Sequence, residues 1–196
     1  MTTKGNIMKK ITLILILLFS TLSAKEKIAT FAGGCFWCME AAFQPLKGVI
    51  SADSGYMGGE ANSANYQEVS GGKSSHYEVV QIRYDDTVIS YTQLLKVFWE
   101  NIDPTDNEGQ FYDKGKQYKT VIFYQNTEEK EWALSSKEEL KKSGRFKEEI
   151  ATQIEEVKEF FKAESYHQDY FKKNSLRYKL YKKASGREEY LKKVWK

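Results

Sequence analysis

At 196 residues, 41% hydrophobic and 29% charged, the chain is long enough for one well-cored domain and has an ordinary globular composition. Its 30 basic and 27 acidic side chains leave a net charge of +3, mixed along the sequence and not gathered on one basic face, which argues against nucleic acid as a partner. Aromatic content stands out, with 13 Tyr, 11 Phe and 4 Trp, and most of these rings must be core because each buries a large area.

The first segment reads as an export signal. Lys9 and Lys10 precede the apolar run ITLILILLF, and small residues follow up to Ala24. This is the basic, apolar and small-residue order of a secretory signal peptide, and the run is too short to span a bilayer. No cysteine sits at the cleavage point, so no lipid anchor is expected there. Leu22, three residues before the cut, is not small, so the cut could slip by a residue. The expectation is a signal peptide over 1–24, a mature chain from near Lys25 with no stable membrane insertion, and a bacterial periplasmic location where thiols meet oxidants.

From there, Ile28 to Phe31 predicts a short strand ending in Gly33-Gly34, and Phe36 to Leu46 an amphipathic helix with Pro45 near its end. Gly48 to Tyr56 predicts a second strand, followed by the glycine bend GYMGG and a small, polar loop over 60–75. Tyr77 to Tyr84 alternates as a third strand. Ser90 is placed to cap a helix through Glu100, with Leu94, Leu95, Phe98 and Trp99 as its apolar stripe. Asp103-Pro104 ends it, and a polar loop covers 105–118. Thr120 to Tyr124 predicts a strand, and Asn126 with Glu129 a capping box for a charged helix to Lys142. Ile150 to Val157 is a weaker strand, Glu164 to Lys173 a short helix, and the tail from Asn174 is rich in Lys and Tyr, its charges read as a solvated face. No internal repeat or long linker divides the chain. The first six elements follow the order β-α-β-β-α-β, which predicts an α+β fold. Its core would be a two-layer α/β plait of ferredoxin-like type, with extended loops and a helical C-terminal extension.

Cys35 and Cys38 are the only cysteines, and they bracket the start of the first predicted helix. A zinc site fails on inventory, since only His76 and His167 are available and lie far apart in sequence. Haem attachment fails because Met39, not His, follows Cys38. No metal or cofactor is expected. A structural disulfide would close a tiny loop and stabilise little, and two cysteines packed as small hydrophobes are the plain alternative. Redox chemistry is the leading reading. A helix N-terminus favours a thiolate, so Cys35 is expected to attack. Cys38 lies one turn on, where Cβ atoms about 5–6 Å apart need modest tightening towards the roughly 4 Å of a disulfide, so Cys38 is expected to resolve.

The stretch GCFW after a strand, with Glu40 beyond it, resembles the A-type peptide methionine sulfoxide reductases. The resemblance continues through GYMGG at 55–59, NYQEV at 65–69, HYE at 76–78, FWENIDPTDNEGQ at 98–110, QY at 117–118 and YHQDYF at 166–171. It spans roughly residues 27–173, with its motifs in order, and implies a catalytic domain over 25–173 and a basic C-terminal extension over 174–196. By this resemblance, Cys35 attacks the sulfoxide sulfur and becomes a sulfenic acid. Glu78 would protonate the departing oxygen, Tyr66 and Tyr118 would hold it, and Asp113 would lie beside the site. Phe36 and Trp37 would grip the S-methyl group. Glu40 would bond the loop backbone and shape the site, and His76 would brace the loop near it, its chemical role unassigned. The resemblance also implies S-epimer selectivity and a repair function on oxidised proteins. The oligomeric state is open, with a monomer as the default.

The chain departs from most of that family in two ways. Cys38 stands where glycine is usual, and the tail LRYKLYKKASGREEYLKKVW lacks the usual resolving cysteines. Cys38 is therefore expected to form a Cys35–Cys38 disulfide reduced by a thioredoxin-like partner, the competing version being direct reduction of the sulfenic acid by an external thiol. The alternative function is a general CxxC thiol-disulfide oxidoreductase. Against it, such proteins face their cysteines with a proline loop, and the only prolines here are Pro45 and Pro104.

Overall fold

A computed structural model describes residues 26–195. The expected signal peptide, residues 1–24, lies outside the described residues. The fold is mixed α+β and is built on one six-stranded sheet. In chain order its strands are β1 (Glu26–Gly33), β2 (Val49–Met57), β3 (Tyr77–Asp85), β6 (Thr120–Tyr124), β7 (Gln153–Glu156) and β8 (Phe160–Lys162). A two-stranded ribbon, β4 (Gly109–Gln110) with β5 (Asp113–Lys114), stands apart. The helices are α1 (Phe36–Phe43), α2 (Tyr66–Ser70), α3 (Tyr91–Trp99), α4 (Thr127–Lys142), α5 (Tyr170–Lys173), α6 (Ser175–Ala184) and α7 (Arg187–Trp195).

The sheet order is β7-β6-β1-β3-β2-β8, antiparallel throughout except for the parallel β6–β7 pair. Period-2 alternation gives each central strand two apolar faces. Phe31, Val80, Ile82 and Ile122 point to the side covered by α1, α3 and α4, where Met39, Phe43, Leu94, Leu95 and Phe98 meet them. Phe31 stacks on Phe43 and Phe98, with ring centroids 5.4 and 5.1 Å apart. Ala32, Val79, Val121 and Phe123 turn to the other side and pack with Met57, Tyr77 and Phe160.

Helix starts follow local chemistry. Ser90 and Gln93 form the reciprocal cap of α3. At α4, Asn126 accepts from Glu129 N, but the Glu129 carboxylate reaches back to Gln125 N (2.9 Å) in place of the cap residue's own amide. The helix expected over 164–173 is only α5. Glu164 is engaged by distant partners, Tyr56 Oη and Tyr66 N, and Asp169 takes a left-handed φ of 55° that breaks helical continuity. The polar loops also hold structure that no periodicity announced, namely α2, the β4–β5 ribbon and a 3-10 turn at Lys116–Tyr118. The tail is not simply a solvated face. Tyr178 and Arg187 are buried, because α6 and α7 fold back onto α1 and the Gly33–Gly34 turn.

Candidate active site

Gly33 and Gly34 end β1 and set Cys35 as the N-cap of α1. Gly34 has a φ of +78°, and a Cβ on it would lie 2.5 Å from Gln110 Cβ and 2.9 Å from Arg187 Nη2, so conformation and space both demand glycine. The Cys35 carbonyl accepts from Cys38 N (3.0 Å) and Met39 N (3.3 Å), which closes the first turn. Both cysteines are free and buried, in one cluster with Tyr170 and Tyr178.

The structure brings Cys35, Phe36, Trp37, Tyr66, Glu78, Asp113 and Tyr118 around one cavity of about 60 Å³, with Tyr181 of α6 completing the wall. Each arrives from a separate element. Tyr66 opens α2, positioned by the Asn65 cap and by Glu164 Oε1, which accepts from its amide at 2.9 Å. Glu78 lies near the start of β3, opposite Tyr56 in register. Asp113 is on β5, and Tyr118 closes the 3-10 turn.

The Glu78 carboxylate oxygen Oε2 accepts from Phe36 N at 3.0 Å. Burial pushes the Glu78 pKa up to about 8; the Phe36 amide opposes this, and Asp113 and Cys38 add to it. Glu78 therefore keeps its proton at neutral pH. Burial also raises Tyr66 to about 12 and raises Tyr118 and Tyr181 as well, so all three phenols remain proton donors. Asp113 is raised by burial and accepts from Tyr181 Oη, which pulls it back down.

The two thiols feel opposing influences. Burial pushes Cys35 well above the ordinary cysteine range, and its contact with Cys38 adds to the shift. Cys38 is lowered to about 7, chiefly by the hydrogen bond from Cys35, with Arg187 and Lys182 contributing. The two sulfurs are thus shifted in opposite directions within one buried pair. Desolvation at the N-cap opposes the helix-end field at Cys35.

Trp37 is held on several sides. It stacks on Tyr170 with centroids 3.9 Å apart, meets Tyr181 edge-on at 5.8 Å, and donates from Nε1 to His167 Nδ1 at 3.1 Å. Accepting on Nδ1 places the His167 proton on Nε2, and burial lowers the His167 pKa, so the ring is neutral. Phe36 lies 5.0 Å from the His167 ring and 5.9 Å from Tyr56.

Glu40 and His76 lie outside the cavity wall. Glu40 Oε1 accepts from Asp169 N at 2.7 Å and so fixes the turn before α5. His76 accepts from Gly59 N at 3.2 Å through Nδ1, and its Nε2 lies 3.0 Å from Glu60 O, bracing the bend after β2. Sequence reasoning gave no role to Tyr170, within the YHQDYF motif, and missed Tyr178, Tyr181 and Arg187. The three-residue spacing of Tyr178 and Tyr181 put two rings on one helix face, a signal that could have found them. Nothing in the sequence marks Arg187.

A buried thiol pair beside a proton-holding carboxyl defines an oxidoreductase that works through cysteine. Residues 27–196 match the family described as peptide methionine sulfoxide reductase. The chain is 47% identical over 174 residues to peptide methionine sulfoxide reductase MsrA of Bacillus licheniformis, covering 89% of this chain and 96% of that one. Among solved structures it resembles reduced Mxr1 from Saccharomyces cerevisiae, with a TM-score of 0.72 and 34% identity over 78% of this chain and 88% of that one. It also resembles Mxr1 in complex with Trx2, with a TM-score of 0.51 and 25% identity over 76% of this chain and 86% of that one. The chain belongs to the peptide methionine sulfoxide reductase family.

Proposed function

We propose that the chain reduces methionine S-sulfoxide, in proteins and as the free amino acid, through Cys35, and so repairs oxidised proteins. The observation that carries this reading is the buried Glu78 carboxyl, tied to the Phe36 amide in the wall of the cavity that Cys35 lines. The Cys35 sulfur attacks the sulfoxide sulfur as its proton passes to Cys38. A sulfur–sulfur bond forms as Glu78 protonates the oxygen. The hydroxyl then moves to the Cys35 sulfur as its bond to the substrate sulfur breaks, and the sulfur–sulfur bond breaks with its electron pair staying on methionine, which leaves reduced by two electrons with Cys35 as a sulfenic acid. Tyr66 and Tyr118 donate hydrogen bonds to that oxygen, Asp113 orders the far side of the cavity, and Phe36 and Trp37 contact the S-methyl group.

Cys38 then loses its proton and attacks the Cys35 sulfur. A sulfur–sulfur bond forms, the sulfur–oxygen bond breaks, and hydroxide leaves as water after taking up a proton. A thioredoxin-like protein returns two electrons by thiol-disulfide exchange; the Mxr1–Trx2 complex supports this choice of reductant.

The same reading takes the central strand order β6-β1-β3-β2, antiparallel at every step, as the core of a ferredoxin-like plait. It takes residues 1–24 as a signal peptide and the mature chain as a periplasmic monomer. Cell fractionation with N-terminal sequencing tests the location, and a native protein in the cytosol with residues 1–24 retained would refute it.

The deciding experiment is a single turnover of the reduced chain with excess methionine sulfoxide and no reductant, followed by peptide mapping. One methionine per chain with a Cys35–Cys38 bond is the expected result. Methionine with Cys38 still free would move recycling to an external thiol. No methionine would overturn the reading.

A further inference from the structure

Arg187 opens α7 and is a buried guanidinium, with 2% of its surface exposed. Its Nη2 donates to Gly33 O at 2.8 Å and its Nη1 to Asn101 O at 2.6 Å, with Met39 Sδ 3.8 Å from Nη1. Its plane lies over the Phe111 ring, 4.6 Å from the centroid. Among the described residues it enters no ion pair. Its hydrogen bonds go to neutral acceptors, which do not cancel its charge.

A buried charge without a counterion is costly, so the identity of the nearby anion matters. Three groups of the site feel this cation, Cys38, Asp113 and Tyr178, and it lowers the proton affinity of each. The titratable groups around Cys38 come from every wall: Cys35 at the cap of α1, Glu78 on β3, Asp113 on β5, Tyr178, Tyr181 and Lys182 on α6, and Arg187. Asp113 opposes a thiolate, Glu78 is protonated and the two phenols are neutral. Lys182 is only half-buried, where water weakens its field. Arg187 alone is a cation both buried and tied to the backbone that carries Cys35.

We propose that Arg187 is a positioning residue for the thiol pair: it pins the C-terminal helices to the Gly33–Gly34 turn and supplies the fixed positive charge that balances a thiolate at Cys38. This rests on the reading that the Cys35–Cys38 pair performs the redox chemistry, and it adds a residue from the far end of the chain to that site. The tail then does by charge what a resolving cysteine in the tail would do by covalent chemistry. It readies the second sulfur to attack the first.

The test uses the full reduced chain, with the thiolate followed by ultraviolet absorbance and by iodoacetamide labelling mapped to Cys38. Wild type is expected to titrate Cys38 near 7, as the site geometry and charges place it. R187M should raise that midpoint by about one unit, slow labelling of Cys38 at neutral pH roughly tenfold, and prolong the dimedone-trappable sulfenic acid on Cys35 after a single turnover. R187K, which keeps the charge but not the forked hydrogen bonds, should restore most of the midpoint. Equal midpoints in wild type and R187M would overturn the proposal, and so would equal shifts in R187M and R187K, which would signify shape alone. Should R187M not fold, wild type decides by itself: a Cys38 midpoint at or above the ordinary value near 8.5 refutes a balancing cation. Methionine formation in the same samples separates the two readings, because a shifted titration in a chain that makes no methionine sinks the sulfoxide reading and leaves the role of the cation standing.

Discussion

Glu78 keeps its proton up to about pH 8 because its carboxyl is buried and its ionisable neighbours, Asp113 and Cys38, are acidic. In the reaction this makes it an acid whose supply falls as pH rises through about 8. Glu78→Gln keeps the acceptor for the Phe36 amide and removes the acid. The expected result is a fall in kcat of about 100-fold or more and loss of the alkaline limb in the pH profile of kcat. A raised acid also links to stability with a fixed sign. The contribution of Glu78 is full below the ordinary carboxylate range and is lost as pH rises through about 8. Thermal melts should therefore show wild type losing stability across that range and E78Q losing less. At this scale the sequence was informative where a motif existed. HYE at 76–78 pointed to Glu78, and QY at 117–118 to Tyr118. It was silent on Arg187, since either of the two arginines in a lysine-rich tail, Arg177 or Arg187, looks the same whether it meets water or the carbonyl of Gly33.

The C-terminal helices cover the thiols with aromatic surface. Tyr178 of α6 packs against Cys35, Cys38 and Tyr170, while Tyr181 turns its hydroxyl to Asp113 and its edge to Trp37. Tyr178→Ala removes one buried ring from that lid. It is expected to cost about 3 kcal/mol in urea unfolding and to speed alkylation of both cysteines in the folded chain. A lid that contributes nothing would leave the labelling rate unchanged. Elements with strong periodicity were legible in the sequence. The strands at 28–31, 77–84 and 120–124 and the helix after Ser90 lie where alternation and capping put them. The failures have physical causes. Glu164 and Asp169 are ordinary helix-start residues in sequence, but the first is drawn to Tyr56 and Tyr66, and the second adopts a left-handed φ. β8 is a three-residue edge strand that exists because β2 offers it a partner, which no local pattern reveals.

Across the whole molecule, stability and site share one sheet. Phe31 of β1 lies beneath Phe43, Phe98 and Tyr91, four residues before Cys35, so the strand that anchors the helical layer also aims the reactive helix. Phe31→Ala is expected to cost ~3–5 kcal/mol, read by urea unfolding, and, in whatever fraction stays folded, to weaken the link between Glu78 and the Phe36 amide. The broad α+β class was readable from element order, but the assembly of the site was not, because its walls lie on the start of α1, α2, β3, β5, the 3-10 turn at Lys116–Tyr118 and α6, separated by most of the described residues.

That separation bears on how the protein is made. A ribosome releases Cys35 long before Tyr178, Tyr181 and Arg187. A growing chain therefore holds its two sulfurs uncovered, without their cation or their lid, until α6 and α7 have been made. The pair acquires its final surroundings only when those two helices dock, so a chain stopped before α6 would carry the same CFWC sequence as ordinary thiols.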